Sequence, residues 1–381
     1  MWRLCTALAL AASLGVASAA STAAPTAPFK LTDLGQVADQ SGDPTAIQLP
    51  DGRVRLYVQW TPESGNHGEH SLISADGIQF SDEPGTRLDQ SQAGPHERIF
   101  GLPDGGYRMY FNSQASSGAA AIGSAISADG LGFAAEPGVR IPADAVAPKP
   151  YLSTGDAVPI GHGRYRMYFS SEGPDKNPDT GTPEFIRSAV SSDLLSWTVE
   201  PGYRIGPGAP TLTGSAEHPS AVRNPDGSVT LFYGRYLPPD FGLFTATSAD
   251  GIHFRSEYRL IPHLVLDAAA LRLADGTLLH YSGDRDNVSG RSYVNVARLT
   301  PAPVALHVVV KGRGRVTGGG ISCRRGTCTR AVPGAKPATL HAKAARHYRF
   351  AGWSRGCRGR AACTVAPSLP VTVVATFRRR R

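Results

Sequence analysis

Apolar and polar residues alternate with a period of two along most of the chain, and Asp-Gly turns interrupt the alternation at recurring points. After Pro50-Asp51-Gly52, the residues Val54, Leu56 and Val58 fall on one side, and Arg53, Arg55 and Tyr57 on the other. That is the period of a strand, not of a helix. Pro-Asp-Gly between two such runs predicts a hairpin, because glycine accepts positive φ.

The same unit is written five times: AIQLPDGRVRLYV, RIFGLPDGGYRMYF, VPIGHGRYRMYF, AVRNPDGSVTLFY and ALRLADGTLLHY. Its turn glycines, Gly52, Gly105, Gly163, Gly227 and Gly276, are 53, 58, 64 and 49 residues apart. In four copies a second half follows, such as SLISADGIQF or SAISADGLGF, which predicts a third strand, a turn and a fourth strand. Asp76, Asp129 and Asp250 precede a turn glycine and Asp193 holds the same place without one; they read as turn caps. Four short strands per unit predict an all-β fold, a five-bladed β-propeller over residues 29–300. A β-sandwich is the rival architecture, but it has no such period. The fifth copy ends at RSYVNVARL, without the second half. The segment FKLTDLGQV, residues 29–37, is expected to supply the missing outer strand.

The first residues combine one Arg, a short apolar run and Ala17-Ser18-Ala19. They predict a signal peptide over 1–19 and a flexible linker over 20–28, hence an extracellular protein; no later apolar run is long enough for a transmembrane segment, and a monomer is expected. Cys5 falls inside that leader. The other four cysteines, Cys323, Cys328, Cys357 and Cys363, lie in the last sixty residues. In an exported chain they read as two disulfides, and the short intervals favour Cys323–Cys328 and Cys357–Cys363. Zinc prefers closer cysteine spacings and a reducing compartment.

Charge divides the chain. It has 39 Lys and Arg and 31 Asp and Glu; residues 301–381 contain 17 of the basic residues and none of the acidic ones. A strongly basic β domain is therefore expected over 301–377, with a frayed basic tail at 378–381. Such a surface favours polyanions, here an anionic cell-wall polymer, and a solvated face is the plainer alternative.

Candidate chemistry lies just before each first strand, where propeller loops reach the channel mouth: Asp43-Pro44, His96-Glu97, Asp156, Glu217-His218-Pro219 and Asp267. Convergent carboxylates with unequal surroundings suit glycoside hydrolysis, in which one acid protonates the leaving oxygen and a base activates water. Each is equally a candidate turn cap or buried ion-pair partner.

The repeat and these motifs resemble glycoside hydrolase family 43 and its arabinan-, xylan- and fructan-cleaving relatives. The resemblance covers residues 29 to about 300. It implies Asp43 as general base, Asp156 as the acid's pKa modulator and Glu217 as general acid, although no proline follows Asp156 directly. His96, Glu97, His218, Asp267 and Trp60 are then candidate substrate contacts. Aromatic residues are scarce, and Trp197 reads as blade packing in a slot held elsewhere by Phe80, Phe133 and Phe254. No cofactor is implied beyond room for a structural calcium in the channel, and the family's channel histidine is not assigned to His280, which sits inside a strand. A non-catalytic glycan- or protein-binding propeller is the alternative. A sialidase-like enzyme, suggested by the SADG turns and by Arg98, Arg223 and Arg272, is a lesser one. Residues 304–377 resemble the divergent internalin-type bacterial repeat, through GRGRV, FAGWSRGC, CTV and VVATF. Trp353 is expected in its core.

Overall fold

The computed structural model describes residues 27–60, 68–89, 97–114, 120–146, 151–172, 183–209, 212, 214–236, 241–263, 265–286 and 289–380. The expected leader therefore lies outside the described residues, as does His96. The described residues are all-β apart from one short 3-10 turn at Ala143–Ala145.

Residues 29–301 form five antiparallel sheets in chain order. The chain enters through β1 (Phe29–Asp39). Sheet 1 contains β2 (Ser41–Gln48), β3 (Val54–Trp60), β4 (Gly68–Ser74) and β5 (Phe80–Asp89). Sheet 2 contains β6 (Arg98–Gly101), β7 (Tyr107–Gln114), β8 (Ala120–Ser127) and β9 (Ala134–Ala135). In sheet 3, β10 (Leu152–Ser153) and β11 (Ala157–Gly161) share one edge of β12 (Arg164–Glu172), followed by β13 (Glu184–Ser191) and β14 (Thr198–Val199). Sheet 4 contains β15 (Glu217–Arg223), β16 (Val229–Arg235), β17 (Gly242–Ser248) and β18 (Arg255–Ile261). Sheet 5 contains β19 (Leu266–Arg272), β20 (Leu278–Arg285) and β21 (Ser292–Pro301), and β1 completes it. Phe29 lies opposite Pro301 and Asp39 opposite Tyr293, so the N-terminal segment supplies the strand that the fifth copy lacks. Each hairpin turns on a glycine in the left-handed region, as at Gly52 with φ 89°, where the N–H donates to the Leu49 carbonyl at 2.9 Å.

The alternation of each second strand sorts its side chains between two neighbouring sheets. Val54, Leu56 and Val58 pack with Leu279, Tyr281 and Val294 of sheet 5, whereas Tyr57 packs with Met109 and Phe111 of sheet 2. The polar face carries a repeated latch. The Tyr57 hydroxyl donates to the Gly130 carbonyl at 2.9 Å, Tyr110 to Leu194 at 2.6 Å, Tyr168 to Gly251 at 2.8 Å and Tyr281 to Gly77 at 2.8 Å. Each receiving carbonyl belongs to the Asp-capped turn of the next sheet, and the last bond joins sheet 5 to sheet 1. Beside them Arg55, Arg108 and Arg166 each fork onto a glutamate of their own sheet (Glu83, Glu136, Glu200) and reach a carbonyl of the same turn. Sheet 4 faces a sheet without that turn, and it carries Phe232 and Thr230 at the two latch positions. The turn aspartates act as caps: Asp76 accepts from the N–H groups of Ile78 and Gln79, and these bonds hold its carboxyl below the usual range. Trp197 meets Tyr110 edge-on at 5.9 Å, between sheets.

The C-terminal part comprises β22 (Val304–Lys311), β23 (Gly314–Gly318), β24 (Ile321–Cys323), β25 (Gly326–Val332), β26 (Ala338–Ala344), β27 (Tyr348–Arg355), β28 (Cys363–Val365) and β29 (Val371–Arg379). They form two four-stranded sheets, ordered β25-β22-β29-β27 and β24-β23-β26-β28. Leu306, Val308, Val316, Leu340, Trp353, Val373 and Phe377 share one core. The disulfides are Cys323–Cys328, which joins β24 to β25 of the other sheet, and Cys357–Cys363, which joins the segment after β27 to β28. The Trp353 indole donates to the Ala361 carbonyl at 2.7 Å. The chain end differs from the expected loose tail: β29 runs through Arg379, which lies opposite Tyr348, and the Arg380 N–H donates to the His347 carbonyl. Backbone pairing to β27 holds these arginines in the sheet.

Candidate active site

The first strands of three sheets begin with the same irregularity. A bulge falls between Gly42 and Thr45 in β2, between Glu217 and Ser220 in β15, and between Leu266 and Ala268 in β19. Asp43, His218 and Asp267 occupy it with φ of 46°, 48° and 45°. Left-handed backbone costs a residue with a side chain about 1–3 kcal/mol, and bulges of this kind re-aim side chains at sheet rims. All three stand nine residues before their turn glycine. The slot of Asp43 is therefore held in sheet 4 by His218, and Glu217 precedes it by one residue.

These residues meet. His218 Nδ1 pairs with the Asp267 carboxylate, and the Asp267 N–H donates to the Tyr236 hydroxyl at 3.2 Å. The His218 ring also lies 5.8 Å from that of Tyr236. Burial, then the negative charges of Asp267, Glu217 and Asp43, push the Tyr236 hydroxyl well above the ordinary tyrosine range. Three carboxylates from sheets 1, 4 and 5 thus share one electrostatic neighbourhood around a neutral phenol. Tyr151, before β10, is pushed up to about 12 by burial and by Glu184, Glu172, Glu217 and Asp267.

Asp156 has different surroundings. Its Oδ2 accepts from the Ser220 hydroxyl at 2.6 Å and from the Ala221 N–H at 2.9 Å; Ser220 in turn accepts from the Ala270 N–H at 2.9 Å. Its Oδ1 lies 3.8 Å from Nε of Arg98. Burial raises its pKa against the opposing pull of Arg98 and the two hydrogen bonds. Gly155 makes the approach possible: a Cβ there would lie 1.8 Å from the Tyr168 carbonyl oxygen. Arg98 is 1% exposed and donates to the Glu97 carbonyl at 2.8 Å and the Ala268 carbonyl at 3.4 Å. This buried cation therefore links sheets 2, 3 and 5, and the ion-pair alternative for Asp156 describes a contact it makes.

The remaining candidates are Glu97 and Trp60. Glu97 is 3% exposed; after burial itself, its charge and that of Asp43 raise the pKa of Glu69 of β4. Trp60 is on the other side of sheet 1, in a 500 Å³ crevice with Val37, Ala38 and Asp39 of β1, its ring edge-on to His70 at 4.8 Å. The alternation of β3 that sends Val58 toward sheet 5 sends Trp60 the same way. Calcium takes six to eight oxygen ligands. Among the described residues no group of three or more His, Cys, Asp or Glu could hold a metal ion.

Solved structures share this architecture. A thermostable family-43 glycoside hydrolase superposes with a TM-score of 0.53 at 17% identity, over 78% of this chain and 96% of that one. Residues 29–301 have a family-43-like β fold. A GH43_1 enzyme from Xanthomonas citri matches at TM-score 0.53 and 16% identity (71% and 90% covered), and the RS223 beta-xylosidase at 0.51 and 17% (68% and 92%). Residues 304–381 match the divergent InlB B-repeat domain. No curated relative matches the chain in sequence. Within the family-43-like fold, pattern reading passed over Arg98 as a site residue, and it passed over Tyr236 and Glu69 altogether. Glu69 had a signal: seven residues before the turn aspartate the other copies have Ile122, Ile186 and Leu243.

Proposed function

We propose that the five sheets are the blades of a five-bladed β-propeller that hydrolyses a glycosidic bond with inversion. Asp43 is the base, Glu217 the acid, and Asp156 the carboxylate that orients and tunes them. The observation that carries this reading is that the charges of Asp43, Glu217 and Asp267 all bear on buried Tyr236, whose hydroxyl accepts from the Asp267 N–H, while Asp156 is held apart by Ser220 and Arg98. Carboxylates with such unequal surroundings can divide acid and base roles. His218 and Asp267 then serve as polar contacts for sugar hydroxyls. The test is hydrolysis of a panel of aryl arabinosides, xylosides, mannosides, galactosides and fructosides, with the product anomer followed by NMR. Glu217→Gln and Asp43→Asn should each lower the rate by about 10²–10⁴-fold. Activity that survives both substitutions would overturn the assignment.

The exported chain would be held near its substrate by the basic domain, which binds an anionic wall polymer. Arg349 lies opposite Arg378 across β27 and β29, and no carboxylate side chain occurs after residue 300. Like charges placed directly opposite are unfavourable unless an anion lies between them or solvent screens them. Retention on purified wall polymer should fall steeply with salt; retention that ignores salt would contradict it.

A further inference from the structure

Trp60 stands where the fold needs no indole. Counted eight residues after the turn glycine, the other four sheets have Ser113, Ser171, Arg235 and Asp284 in its place, each paired at the same point of the third strand. Trp197 packs on Tyr110 and Trp353 lies in the C-terminal core, but Trp60 is 37% exposed. Four sheets close without an aromatic ring at this position, so packing does not call for one. The ring lines the 500 Å³ crevice between sheet 1 and β1, a volume within the range of about 300–1,000 Å³ usual for ligand sites. The lining joins buried Val58 and Leu72 to exposed Asp82 of β5 and Asp39 of β1. Trp60 also lies opposite Ser41 of β2, two residues before Asp43, so the crevice begins one strand away from the assigned base.

The lining selects its ligand. Trp60 and His70 meet at 72°, so the imidazole does not stack on the indole. An indole so exposed offers an apolar platform for a ligand face. Asp39 and Asp82 accept hydrogen bonds and donate none, so the ligand must bring donors. Among the described residues the lining has no lysine or arginine, and Arg55 and Arg291 nearby are spent on Glu83 and Asp39, so nothing in it calls for an anion. A neutral sugar ring meets both demands: its C–H face covers the indole and its hydroxyls reach the carboxylates. We infer that this crevice is a second glycan-binding site, which holds neutral sugar units remote from the bond that is cut, on a chain that passes over β2 to Asp43. Trp60 is then a specificity-determining residue that makes long chains better substrates than short ones. The inference rests on the glycosidase reading only for the claim that the held sugars belong to the substrate; the binding itself does not.

The test uses the full chain, with xylohexaose, arabinohexaose and mannohexaose as probes and a hexamer of galacturonic acid as the anionic comparison. The indole N–H signal of Trp60, followed by NMR in the Glu217→Gln chain so that no probe is consumed, should move on titration with one of the neutral hexaoses and not with the uronate. Trp60→Ser, the residue of sheets 2 and 3, should melt as wild type does, so that loss of binding is not loss of the fold. It should weaken binding of that hexaose about tenfold, the worth of one aromatic contact. In hydrolysis the preference for the hexaose over the aryl glycoside, taken as the ratio of their kcat/KM values, should fall about tenfold in Trp60→Ser, through KM. An indole signal that no neutral hexaose moves, or that the uronate moves as far, overturns the site. A preference unchanged in Trp60→Ser overturns its place on the path of the substrate. A chain that hydrolyses nothing while the indole responds to a hexaose would refute only the glycosidase reading.

Discussion

His280 should make the fold acid-labile in a way that one substitution removes. It lies in β20 at the place held by Leu56, Met109, Met167 and Leu231 in the other four sheets, counted four residues after the turn glycine. The imidazole is fully buried, its ring 5.8 Å from that of Phe232, and neither nitrogen has a hydrogen-bond partner among the described residues. Burial therefore pulls its pKa from 6.5 down to about 4. Above pH 6.5 the folded and unfolded chains both keep the ring neutral, and the group contributes nothing to the pH dependence. As pH falls through 6.5 the unfolded chain takes a proton that the folded chain refuses, and stability declines until about pH 4. The full linkage penalty is about 3 kcal/mol, of which about 2.5 kcal/mol is present at about pH 4.5. The comparison is wild type against His280→Met, which restores the residue of sheets 2 and 3. Urea unfolding at about pH 7.5 and about pH 4.5 should give a difference in stability that grows by about 2.5 kcal/mol in favour of the variant. Carboxylate contributions are common to both proteins and cancel. If the two stability curves run parallel between these pH values, the ring is either protonated in the folded state or solvated, and the reasoning fails.

Tyr281→Phe should cost about 1–3 kcal/mol in denaturant unfolding, because it leaves the Gly77 carbonyl buried without its donor at the junction of sheets 5 and 1. Phe232→Tyr, which adds the hydroxyl where sheet 5 has no receiving turn, should lower the melting temperature and not raise it. Replacing Cys323 and Cys328 together by serine should cost about 2 kcal/mol for so short a loop, read as a lower thermal midpoint of the C-terminal domain. Gly155→Ala forces a methyl to within 1.8 Å of the Tyr168 oxygen, so the chain before Asp156 must move; both thermal stability and the Asp156–Ser220 contact, followed by NMR, should be lost.

The repeat was legible because each copy carries the same local physics: an alternating strand, a glycine turn, an aspartate that caps the next turn. Even the gap was legible. A fifth copy without its second half needed a strand from outside, and β1 supplies it. The residues at sheet 4 record the same gap from the other side, since Phe232 and Thr230 stand where three other sheets have Tyr and Arg reaching for that turn. Reading of the site was weaker because its contacts run between sheets. Arg98 and Asp156 are 58 positions apart, and the packing of sheet 3 against sheet 2 sets one near the other. Trp60 was misplaced because its nearness to the mouth was legible but its side of the sheet was not weighed, although Val58 two residues earlier fixes it. Glu69 went unnoticed because the five copies were compared for what they share. The residue that breaks a repeat at a buried position is the better guide to chemistry. A fold that has four working versions of a slot with aliphatic side chains gains no packing from an acid in the fifth, so the acid must be judged by the charges that act on it, which here are Glu97, Asp43 and Arg98.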